Sequence, residues 1–140
     1  MARSTLGNRR AILLDANLIL RDLTTAVAIA TTTAETANTN VNPAEVGYYK
    51  AVVDVVAHTG YVVGSAQWVI TIEASADNLT FVPVGTVIPT GVAGRFQVPL
   101  SGEWVEKNLS VPYPNIIYTR AKATKIGSPG NLNYGAFLTL

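Results

Sequence analysis

The stretch Trp68-Val69-Ile70-Thr71-Ile72-Glu73-Ala74-Ser75 decides the fold class. Trp68, Ile70, Ile72 and Ala74 alternate with Val69, Thr71, Glu73 and Ser75. A period of two sends the two sets to opposite faces of an extended chain, the first set inward. The turn formers Ala76-Asp77-Asn78 follow, and Phe81 to Ile88 reads as the returning strand. Pro89-Thr90-Gly91 turns the chain again.

The same alternation extends both ways. Upstream, Tyr49, Ala51, Val53, Val55 and Ala57 alternate with Lys50, Val52, Asp54, Val56 and His58, a half-buried strand. Gly60 and Gly64 bracket a short extended piece, Tyr61-Val62-Val63. Downstream, Phe96, Val98 and Leu100 oppose Arg95, Gln97 and Pro99, and a proline without an N–H suits an edge or a strand end. Ser101 to Pro114 reads as a long connection. Ile117, Thr119, Ala121 and Ala123 then alternate with Tyr118, Arg120, Lys122 and Thr124. Gly127-Ser-Pro-Gly-Asn131 is a turn cluster, and a last strand covers about Tyr134 to Leu140. No segment keeps a helical period for three turns. Short strands with turn signals between them predict an all-β antiparallel sandwich.

The first 45 residues are less regular. Residues 1–10 read as a basic arm carrying Arg3, Arg9 and Arg10. Residues 11–20 fit a helix or two short strands, and the Asp15-Ala16-Asn17 centre favours strands around a turn. Val27 and Ile29 suit a further strand. Residues 31–44, rich in Thr, Ala and Asn, read as a long loop. Residues 11–140 together make one domain, an ordinary size for a single core.

Composition narrows function. The 140 residues include no cysteine, which excludes disulfides, thiolate metal sites and cysteine nucleophiles. Only 14% are charged, 49% are apolar, and mean hydropathy is +0.28. Yet no apolar run approaches the ~20 residues of a membrane span. Such a chain either completes its core unusually well or has part of its outside covered by a partner. A net charge of +1 gives no bulk field to attract nucleic acid. Residues 1–10 lack the apolar centre of a secretory signal.

Chemistry is sparse. His58, the single histidine, reads as an exposed strand-end residue on the outward face, and no Gly-x-Ser-x-Gly elbow accompanies it. One histidine and no cysteine leave only oxygen-ligand metal sites. The best such group, Asp77 with Asn78, reads as turn chemistry instead. The carboxylates suggest no particular catalytic pair. No phosphate-cradling glycine loop is present. The reading is a non-enzyme with no cofactor and no metal. Trp68 belongs to the inward set, whereas Trp104 reads as a loop aromatic, half plug and half contact residue. Arg120 and Lys122 share one polar strand face, whereas Lys125 has the opposite parity. The partner-contact candidates are therefore Arg3, Arg9, Arg10, Trp104, Arg120 and Lys122.

Three of these stretches together resemble a known family. Trp68-Val-Ile-Thr-Ile-Glu-Ala-Ser-Ala-Asp-Asn-Leu-Thr-Phe81-Val-Pro-Val-Gly85-Thr is similar to the paired "T-I-E-x-S-x-D" and "F-x-x-V/L-G" strands of small tailed-bacteriophage capsid proteins. Gly94-Arg-Phe-Gln-Val-Pro99 resembles their "G-R-F-x-V-P" strand, and Tyr118-Thr-Arg120-Ala-Lys-Ala-Thr their "Y-x-R-x" strand. The family is the jelly-roll capsid cement, or decoration, proteins of short-tailed phages, and the likeness covers about residues 46–140. It implies an eight-stranded jelly roll, often dimeric, on the outer surface of an icosahedral virion. There it would glue neighbouring major capsid protein subunits, after assembly in the bacterial cytoplasm, with no direct contact to nucleic acid or membrane. A carbohydrate- or receptor-binding β-sandwich of a phage tail or host surface is the competing expectation.

Overall fold

The computed structural model describes residues 18–37, 39–41, 47–109 and 117–139. Among these, nine strands and one helix follow in chain order. They are β1 (Ile19–Arg21), β2 (Thr33–Ala34), β3 (Thr39–Val41), β4 (Tyr48–Val55), β5 (Gln67–Ser75) and β6 (Val82–Val87), then β7 (Gly94–Ser101), α1 (Gly102–Leu109), β8 (Ile117–Ile126) and β9 (Tyr134–Thr139). All strand pairs are antiparallel.

Two sheets form. One has the order β1-β9-β4-β7; the other runs β2-β8-β5-β6, with β3 also on β8 beyond β2. Because β2 and β3 lie along the same edge of β8, they act as one interrupted strand. Eight strand positions then pair in nested fashion: β1 with β9, β2/β3 with β8, β4 with β7, and β5 with β6. A long hairpin rolled into two facing sheets in this way is a jelly roll, so the expected all-β sandwich is the observed fold.

The core lies where the alternation places it. Trp68, Ile70, Ile72 and Ala74 from β5 and Ile117, Ala121 and Ala123 from β8 share one core with Tyr49, Ala51, Val53 and Val55 from β4 and Ala136 and Leu138 from β9. Fully burying one large aliphatic side chain contributes about 1.5–3 kcal/mol. Pro99 sits on β7, an edge of its sheet, where a missing N–H interrupts no interior ladder.

Three expectations need correction. The 31–44 stretch is not wholly loop: β2 and β3 lie within it and supply the edge partner of β8. A short edge strand of Thr and Asn carries little apolar alternation, because much of it faces water. The Ser101–Pro114 connection contains α1. The Ser101 hydroxyl caps it by accepting the Trp104 N–H (3.0 Å), Glu103 and Lys107 suit its two ends, and Val105 and Leu109 pack on the core. Two turns are too short to show a period. His58 is buried rather than exposed, because β4 ends at Val55 and the chain bends beneath neighbouring loops. The arm at 1–10, and most of the 11–20 segment, lie outside the described residues, although Ile19 and Leu20 do fall in a strand. Ile29 makes only a single bridge, to Leu132.

Candidate interaction surface

Strand direction gathers four loops, 22–32, 56–66, 88–93 and 127–133, at one end of the sandwich. Val55 faces both Gly94 and Tyr134, and Gln67 faces Ile126. Hydrogen bonds tie these loops to one another. The His58 N–H donates to the Gly91 carbonyl (3.0 Å), and the Gly130 N–H to that of Thr59 (2.7 Å). The Val56 N–H donates to the Asn133 carbonyl (3.0 Å), while Ile29 and Leu132 exchange two bonds (2.7 and 3.0 Å).

Side chains anchor the same end from below. Trp68, fully buried, donates from Nε1 to the Gly130 carbonyl (2.8 Å). Arg21 is buried against the Tyr134 ring, donating to the carbonyls of Tyr134 and Val27 and to Asn133 Oδ1. Burial pushes the Tyr134 hydroxyl well above its ordinary range, with the Glu35 charge adding to the rise. Gly127 holds φ at 70°, and a Cβ there would stand 2.0 Å from the Ser65 carbonyl oxygen. No other residue type fits that position.

The surface of this end is unusual in composition. Segments 23–32, 56–66, 88–93 and 127–133 contain no Asp, Glu, Lys or Arg. They expose Val27 (81%), Val63 (78%) and Val92 (69%), with Val56, Val62 and Ile88 about half exposed. Ile126 and two charged residues, Asp22 and Lys125, stand at its border, and Lys125 Nζ is already donating to the Ala30 carbonyl (2.9 Å). Exposed apolar side chains on loops tied together by hydrogen bonds make this end a candidate interaction surface. β-branched side chains lose little rotamer freedom on being covered.

The opposite end also exposes apolar side chains, Tyr48 (90%) and Leu79 (84%), but sets them among charges. The 76–81 turn and α1 place Asp77, Glu103 and Lys107 there. Asp77 Oδ1 accepts from the N–H groups of Thr80 and Leu79 (both 2.9 Å) and from the Ser75 hydroxyl (2.8 Å). In that order, these bonds hold its carboxyl down to about 2. Asn78 supplies the left-handed turn residue at φ 60°. Trp104 stands on α1, not in a loop; its Nε1 donates to the Val84 carbonyl (3.2 Å) while 47% of the residue stays exposed. It is anchored at one edge and open to solvent at the other.

Among the described residues, each outer sheet face carries one cross-strand ion pair. On one, Arg95 grips Asp54 with two bonds (2.6 and 2.9 Å), and that pair raises the Arg95 pKa. On the other, Arg120 binds Glu73 (2.8 Å) beneath the Phe81 ring, whose centroid is 3.8 Å from the guanidinium carbon. Arg120 is therefore engaged within the fold. Lys122 lies on the same face opposite Thr71 and has no ion pair among the described residues. Arg3, Arg9 and Arg10 fall outside the described residues.

The His58 imidazole is buried, and neither ring nitrogen has a hydrogen-bond partner among the described residues. Among the described residues no three His, Cys, Asp or Glu gather as a metal site, and no helix is long and apolar enough to cross a membrane. Sequence reading passed over the charge-free end. The signal was present as four charge-free turns, but only the nested pairing brings them together. No protein-family model matches the chain, and no curated protein matches it.

Proposed function

We propose that this chain is a structural, non-enzymatic virion protein that binds the outside of an icosahedral phage capsid and cements neighbouring major capsid subunits. The observation that carries the reading is the rigid, charge-free apolar end, a surface chemistry suited to protein neighbours. The motif runs that resemble the cement family fall on β5, β6, β7 and β8, the strands of a jelly roll, which is the fold the resemblance implies.

Cementing needs no chemistry. A protein that binds only the assembled lattice stabilises it by mass action. Contacts to several subunits at once add avidity, so each one can be modest. The basic segment with Arg3, Arg9 and Arg10 supplies a further reach toward acidic subunit surface, and the exposed Trp104 and the half-buried Lys122 supply contacts away from the apolar end.

The test is co-sedimentation of the purified chain with heads assembled from a candidate major capsid protein. Saturable decoration, and shells that resist heat or chelator better when decorated, are the expected results. Deleting residues 1–10 lowers occupancy if the arm contributes. Specific glycan binding that Trp104→Ala abolishes, with no head binding, would instead establish a receptor-binding sandwich.

A further inference from the structure

The outer face of the β1-β9-β4-β7 sheet lies between the two ends of the sandwich. The ladder sets its side chains in rows. Lys50 stands opposite Pro99, Val52 between Gln97 and Phe137, and Asp54 opposite Arg95. The alternate residues of β4 fill the core. From Tyr48 to Asp54 the face runs about 20 Å along β4 at the ordinary rise of a strand. Val52 is buried although it belongs to the outer row, and a hollow opens toward each end of the strand from it. One, of about 240 Å³, lies among Tyr48, Lys50, Gln97 and Pro99. The other, of about 170 Å³, lies among Ile19, Asp22, Asp54 and Phe137.

The groups lining these hollows are those that a neutral sugar uses. Each hollow has one aromatic ring to lie under the apolar face of a pyranose: the exposed Tyr48 in the first and the half-buried Phe137 in the second. Beside each ring stand polar groups already fixed in direction. Lys50 Nζ donates to Gln97 Oε1 (3.3 Å), which leaves the Gln97 amide hydrogens as donors. Arg95 and Asp54 hold each other by two bonds, and the guanidinium carbon is 5.9 Å from the centre of the Phe137 ring. Asp22 Oδ1 accepts from the Thr24 N–H (3.0 Å) and hydroxyl (2.7 Å), which holds that carboxylate at the second hollow. Oriented donors and acceptors beside a ring suit hydroxyl groups, which both give and take hydrogen bonds.

Charge narrows the ligand. Lys50 and Arg95 are matched by Asp22 and Asp54, so the hollows present no net field to a polyanion. An apolar partner would have to strip water from Lys50 and Asp22, which form no ion pair among the described residues. We propose that this face binds a neutral oligosaccharide, laid along β4 with sugar rings on Tyr48 and Phe137 and hydroxyls on Lys50, Gln97, Asp54 and Asp22. The site goes beyond the cement reading and does not depend on it, because it uses neither the charge-free loops nor Trp104. Paired strands hold the lining groups in place, so little order is lost when a sugar binds. On a shell carrying many copies, one weak site per copy adds up to firm attachment to a glycan-bearing surface.

The test is an amide chemical-shift titration of the isotopically labelled full chain with maltohexaose, cellohexaose, mannohexaose and chitohexaose, with a heparin hexasaccharide as the anionic control. We expect at least one neutral oligosaccharide to move amides of β4, β7 and β9 together while those of α1 and the four loops stay in place. Tyr48→Ala should weaken that binding roughly tenfold, whereas Tyr48→Phe keeps the ring and most of the affinity. Tyr48 and Gln97 are both exposed, so Gln97→Ala gives a second loss on an intact fold. Trp104→Ala should bind the sugar as the parent does. Absence of shifts with every neutral oligosaccharide overturns the inference. So does binding indifferent to both Tyr48→Ala and Gln97→Ala, or tighter binding of heparin than of any neutral chain. If no sugar binds and Tyr48→Ala abolishes head co-sedimentation, the face is a protein contact and the inference falls. Heads decorated by a chain that binds no sugar leave the cement reading intact. Sugar binding without head binding leaves this inference standing and removes that reading.

Discussion

The two ends of the sandwich hold themselves together in different ways. At the helix-bearing end, order is local. Asp77 binds the backbone of its own turn, Ser101 caps the helix three residues ahead, and Asn108 donates to the Trp104 carbonyl (2.8 Å) one turn back. At the charge-free end, order is long-range. Gly130 reaches Thr59, Val56 reaches Asn133, and Ile29 pairs with Leu132. Local devices tolerate damage one at a time. Long-range ties share residues, so one lesion loosens several loops together.

This contrast can be broken or sharpened by substitution. The largest effect belongs to Trp68→Ala, which opens a core cavity and frees the Gly130 loop; urea unfolding should show a loss of about 3–5 kcal/mol. Gly127→Ala follows. Forcing a Cβ against the Ser65 carbonyl at positive φ should cost roughly 2 kcal/mol, and hydrogen exchange should quicken in all four loops rather than in one. Trp104→Phe keeps the ring but loses the bond to Val84, and should cost about 1 kcal/mol with changes confined to α1 and β6. Asp77→Asn gives a smaller effect that depends on pH. Its folded carboxyl titrates at about 2, below the ordinary 3.8, so its contribution is complete above pH 4 and fades as pH falls toward 2. The gap in melting temperature between parent and variant should close over that range. Val63→Asp should be the smallest, with stability within about 0.5 kcal/mol of the parent because the side chain is exposed. Equal loss of exchange protection at both ends in Gly127→Ala would refute the contrast.

The division between local and long-range order also explains what the sequence made legible. Period-two alternation is a property of one strand, and it placed Trp68, Ile70, Ile72, Val98 and Ala121 in the core. The Asp77-Asn78 turn was legible for the same reason. The β3 segment was missed because an edge strand pairing on one side needs no apolar alternation. His58 was misplaced because its burial comes from Gly91 and neighbouring loops, not from its own strand. Arg120 looked available for a partner, yet Glu73, 47 residues earlier, had already engaged it. The charge-free end was the least visible feature. Read alone, its segments are a Thr- and Ala-rich stretch, a short extended piece between glycines and two turn clusters, and only topology adds them together.

The strand order of the first sheet sets a timetable for folding. β9 lies between β1 and β4. While a ribosome is still reading the codons for Tyr134–Thr139, β1 has no partner and β4 is exposed along one edge. The β5–β6 hairpin can close early, and each outer pair must wait for a chain segment ever further downstream, so the loop to be closed lengthens at every step. A nascent chain of this design stays incomplete, with a sticky strand edge, until β9 arrives and closes the sheet in one step.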